Sequence, residues 1–177
     1  MAKVLIVISH DRFQDEELEA LTKALENSNH QFQVGSTHHT EAKGYFGLIV
    51  KPDVNIGFVE PGDYDAIVFV GGHGVEEYFM DSDVINLIRY LFSDKKLVAA
   101  IGLAVEIFVY AGIITGRKVT CIPSLINNVQ GAGAYYTGRP VELDGDILTG
   151  TDSRTRLEFA KALVKALDHL DPRRGLR

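Results

Sequence analysis

A chain of 177 residues, 46% apolar and 24% charged, is long enough to bury one sizeable core and short for a second domain. Its formal charge of −6 is accompanied by no cluster of Lys and Arg beyond Arg173-Arg174, which excludes a phosphate-gripping surface and with it a nucleic-acid partner. Nowhere do about 18 uninterrupted apolar residues occur, the N-terminal apolar run is too brief for a signal peptide, and the lone Cys121 permits no internal disulfide. A soluble protein of a reducing, cytoplasmic setting is expected.

In chain order, residues 4–9 are a continuous apolar run, as expected of a strand buried on both faces. Residues 13–26 then place Leu18, Leu21 and Leu25 at helical spacing. Residues 31–37 give a second strand, and residues 45–59, broken by Pro52 and Gly57, read as short extended pieces at an edge. Residues 65–70 form another buried strand, ending in Gly71-Gly72. Residues 81–92 are amphipathic, with Val84, Leu87, Ile88 and Leu91 on one side and Asp81 or Ser82 as N-cap. A strand at 97–101, a largely buried helix at 103–110 and a strand at 118–122 follow. Residues 140–149 predict a hairpin around Asp144-Gly145, and residues 154–167 a last amphipathic helix before the polar tail DPRRGLR. The alternation predicts a doubly wound, mostly parallel sheet with helices on both faces and a small β-hairpin. One domain, 1–170, precedes the tail at 171–177.

In open α/β sheets ligands bind beyond the carboxyl ends of strands. Three such ends occur here, at residues 9–17, 71–77 and 102–106. Gly71-Gly72 can bring backbone close to a ligand or merely turn the chain. No GxGxxG or GxxxxGK[ST] string supports a dinucleotide or P-loop site. His38-His39 and His73 have no partners at zinc spacing, so neither a structural metal nor a cofactor is expected. Asp15-Glu16-Glu17 suit the positive end of the first helix, although one of them could face inward.

KVLIVI with FQDEEL, DYDAIVFVGG, GRKVTCIPS, and DGDILTG followed by RLEFAKALVKAL together resemble the ThiJ/PfpI family of the glutamine-amidotransferase-like superfamily, over nearly the whole chain. The resemblance implies a flavodoxin-like fold. It also implies a nucleophile elbow of the form A-A-I-C-H-G-P, for which this chain has Ala99-Ala100-Ile101-Gly102-Leu103-Ala104-Val105. Glycine stands where the family has its cysteine. The positions that supply the family's activating histidine hold Leu103 and Ile122. A glycine keeps a strained turn that costs most side chains roughly 1–3 kcal/mol. Glu17 matches the family's pocket carboxylate, and strand alternation turns Cys121 away from the site if Ile122 faces it.

The resemblance therefore implies a non-nucleophilic binding or stress-related module, homodimeric as family members commonly are, with a pocket at Gly72, His73, Gly102, Leu103 and Ile122. A small-molecule ligand is its expected partner. The rival is a protease-, amidase- or glyoxalase-like enzyme acting on small carbonyl or amide compounds, with Glu17 as base and His73 as acid. Glu106 is expected to be a solvated helix-surface residue.

Overall fold

The computed structural model describes residues 1–170; the predicted tail lies outside the described residues. Its elements are β1 (Lys3–Val7), β2 (Asp11–Phe13), α1 (Asp15–Glu26), β3 (Gln31–Ser36), β4 (Ala42–Gly44), β5 (Ile49–Val50), β6 (Val54–Asn55) and β7 (Ala66–Phe69). Next come α2 (Ser82–Ser93), β8 (Leu97–Ile101), α3 (Val105–Ala111), β9 (Lys118–Val119), α4 (Ile126–Gly131), β10 (Tyr135–Tyr136), β11 (Val141–Asp144), β12 (Ile147–Gly150) and α5 (Arg156–Asp168).

Seven strands form the central sheet in the order β11-β12-β8-β7-β1-β3-β6, parallel except for the antiparallel β11–β12 hairpin. Alternation along each buried strand splits the core into two clusters, one on each face. Val4 and Ile6 of β1 pack with Leu18, Leu21, Phe159 and Leu163 of α1 and α5. Leu5 and Val7 pack with Leu87 and Ile88 of α2 and Phe108 of α3. Burial of both faces is what makes these strands read as unbroken apolar runs. Asp81 caps α2, its carboxylate accepting the N–H groups of Asp83 at 3.0 Å and Val84 at 3.2 Å.

Two expectations are corrected. The strand expected at 118–122 ends at Val119 and pairs with β10 in a separate two-stranded sheet. Past it, the Thr120 N–H donates to the Thr149 hydroxyl oxygen, a side chain rather than a ladder carbonyl. The extended pieces at 45–59 divide: β6 edges the central sheet, while β5 joins β4 and β2 in a small sheet of its own. The hairpin expected at 140–149 is present as β11 and β12, and β12 also pairs in parallel with β8, extending the main sheet.

Candidate functional site

β1 lies between β3 and β7, so the crossovers leaving it and arriving beside it run in opposite directions, and a crevice opens at the carboxyl ends of β1, β7 and β8. A cleft of about 390 Å³ occupies that crevice. It is lined by Glu17, Gly72, His73, Gly102, Leu103 and Ile122, so the structure brings the candidate base and the five residues expected of the pocket together. His73 is exposed, at the start of the turn that follows β7.

Glu17 projects from the first turn of α1 and is 3% exposed. The Gly71 N–H donates to its Oε2 at 2.7 Å, and the Ser153 hydroxyl donates to its Oε1 at 3.0 Å. Gly71 must be glycine for this approach, since a Cβ there would lie 2.8 Å from the Ile101 carbonyl oxygen and 2.9 Å from Glu17 Oε2. Ser153 is held by the turn before α5, which Asp152 caps by accepting the Arg154 N–H at 2.9 Å. Burial pushes the Glu17 carboxyl up from 4.5 to about 7; the two hydrogen bonds pull the other way, the Asp152 charge adds to the rise and Arg156 opposes it. Glu17 is thus a buried acid poised near neutrality.

Gly102 has φ +64 at the turn from β8 into α3. A Cβ built there would lie 3.5 Å from Glu17 Oε1 and 3.9 Å from the Gly71 Cα; apart from the flanking residues no other atom comes within 4 Å. The place of a side chain is open, and an apolar group does not fill it. Leu103 and Ile122 form half-buried apolar walls instead.

Cys121 is fully buried in the core with Phe108 and does not line the cleft. Burial, and secondarily the Glu106 charge, push its thiol up to about 11. The expected surface role of Glu106 is corrected: it is 7% exposed and its two oxygens accept from Asn128 Nδ2 at 2.9 and 3.1 Å. Of the acidic trio, Glu17 faces the cleft, while Asp15 is buried and accepts the N–H groups of Phe46 at 2.9 Å and Leu48 at 2.8 Å. Among the described residues no group of three His, Cys, Asp or Glu side chains could hold a metal ion. No helix among them is long and apolar enough to cross a membrane.

Sequence reasoning missed the cleft residues Arg12, Gln14, Tyr45 and Ser153. Gln14 stands inside the FQDEEL motif and was the one that could have been found. Ser153 lies 136 residues from its partner Glu17, and no local pattern joins them.

The model of the DJ-1/PfpI family matches residues 2–166. The chain belongs to this family. It is 35% identical over 94% of its length to an uncharacterised protein of Methanocaldococcus jannaschii, covering 83% of that protein. It is 28% identical to a Pyrococcus horikoshii protein named a deglycase, over 93% of this chain and 99% of the other. Among solved structures, a ThiJ/PfpI domain protein of Brachyspira murdochii matches with a TM-score of 0.91 and 31% identity, over 96% of this chain and 98% of that one. The flavodoxin-like strand order described above is thus that of a DJ-1/PfpI domain, and the cleft lies at its switch point.

Proposed function

We infer that this DJ-1/PfpI chain is a non-nucleophilic binding protein for a small molecule, taken up in the cleft beside Glu17. One observation carries the reading: Gly102 keeps the positive-φ turn after β8 but places no reactive atom there. Cys121 offers no substitute, because a buried thiol with a raised pKa holds almost no thiolate at neutral pH. The deglycase named among its relatives is therefore not carried over as a thiol reaction. A second reading, acid–base catalysis on a small carbonyl or amide compound, is favoured by the Glu17 carboxyl near 7, which suits a general base at neutral pH.

The family frame also supports a homodimer in the cytoplasm. A second copy would cover the exposed apolar side chains Tyr45, Phe46 and Ile49 of the β4–β5 hairpin, and Tyr45 stands at the cleft. Turnover of methylglyoxal and of fluorogenic peptides, measured before and after iodoacetamide, tests the binding reading. No alkylation-sensitive turnover is expected. Activity lost on alkylation refutes the reading and points to Cys121.

A further inference from the structure

The cleft holds a second irregularity besides the open place at Gly102. Gln14 lines it, and the Oε1 atom of Gln14 is buried yet accepts no hydrogen bond from the protein. A buried amide oxygen left unpaired is unfavourable, so the site favours an incoming donor. Glu17 is a second acceptor: Oε1 takes one bond, from Ser153, and the open position beside Gly102 approaches the same atom at 3.5 Å. A carboxylate oxygen can accept more than one hydrogen bond.

Charge narrows the occupant. Glu17, Glu76 and Asp152 line the cleft against the single guanidinium of Arg12, which itself lies 3.7 Å from Asp11. An anion is disfavoured by that balance. An ammonium is a strongly hydrated point charge that must give up that hydration on a buried floor whose carboxyl, Glu17, is only partly ionised at neutral pH. Two hydroxyl groups match two acceptors. Leu103 and Ile122 offer an apolar wall for a short carbon edge.

We propose that the space beside Gly102 receives a small neutral vicinal diol or polyol, its hydroxyl groups donating to Glu17 and Gln14 and its carbon edge lying against Leu103 and Ile122. This rests on the binding reading above. The charged and titratable groups around Glu17 are Asp152 and Arg156 beside it and Arg12, Glu76 and His73 along the cleft; because a hydroxyl donates better to an ionised carboxylate than to a protonated one, binding tightens as Glu17 ionises with rising pH through about 7. If only ionised Glu17 binds, affinity is about tenfold higher at pH 8 than at pH 6.

Propane-1,2-diol, lactate and 1-amino-2-propanol share a three-carbon skeleton and differ in charge, which makes them matched probes. Each is titrated into isotope-labelled protein while the amide resonances of Gly71 and Gly102 are followed. The diol should give saturable shifts, tighter at pH 8, with lactate and the amine each at least several-fold weaker. Gly102→Ala, whose methyl occupies the space, should weaken the diol about tenfold or more. Gln14→Leu, which leaves the turn untouched, should weaken it several-fold and serves if Gly102→Ala fails to fold. Tighter binding of lactate or the amine, no saturable shift with the diol, or an unchanged diol affinity in the folded variants each overturns the proposal. Alkylation-sensitive turnover overturns instead the underlying binding reading, whatever the diol does.

Discussion

At Glu17 burial and hydrogen bonding oppose each other, and burial prevails. The unfolded chain releases this proton near pH 4.5, the folded chain only near 7. Between those values the folded state holds more protons than the unfolded one, so stability falls as pH rises, by about 3 kcal/mol across the interval. Below 4.5 that loss is absent. Glu17→Gln removes the charge but keeps an oxygen for the Gly71 N–H and offers an N–H to the Ser153 oxygen. Urea denaturation should therefore find the variant near wild-type stability at pH 5 and more stable by about 1–3 kcal/mol at pH 8. An equal loss of stability at both pH values contradicts this account. A base essential to turnover adds a second signature, since the amide abolishes it while the fold persists.

Among the elements, the small β2-β4-β5 sheet is tied to the main body through Asp15, whose carboxylate accepts two N–H groups from the β4–β5 connection. Asp15→Ala leaves both donors without that partner and should cost about 2 kcal/mol. Hydrogen exchange should accelerate at the Phe46 and Leu48 amides ahead of those in β1 or β7; unchanged protection there refutes the tie. The elements legible in the sequence were those that bury a long face: β1, β7 and β8 as apolar runs, α1, α2 and α5 through their spacing. Those missed are short. The helix α4, INNVQG, carries two asparagines and a glycine and holds its place by tertiary contact around Val129 rather than by propensity. β2 and β4 have three residues each, too few for a period to appear. Residues 120–122 misled because β-branched composition states what suits a pleated surface, not whether a ladder partner is present. For the site, Glu17 was legible through its place in the FQDEEL motif. Its bond to Ser153 was not, because pairing across 136 residues is a property of the packed helices.

In the whole molecule, Tyr45, Phe46 and Ile49 are 62%, 68% and 52% exposed on one hairpin beside the cleft. Large apolar side chains grouped in this way mark an interaction surface more often than isolated ones do. Light scattering should give a mass near twice the 19.5 kDa chain. A monomer at micromolar concentration refutes the dimer. The two ends of the described chain also meet: α1 packs on α5, His30 Nε2 lies 2.8 Å from Asp168 Oδ1, and Ser153 completes the polar shell of Glu17. During synthesis α1 emerges from the ribosome well before Ser153 and α5, so until those arrive Glu17 has no hydroxyl to receive and no α5 to bury it. The buried acid is therefore assembled late in folding: a chain that has not yet docked α5 on α1 holds Glu17 as an ordinary solvated carboxylate.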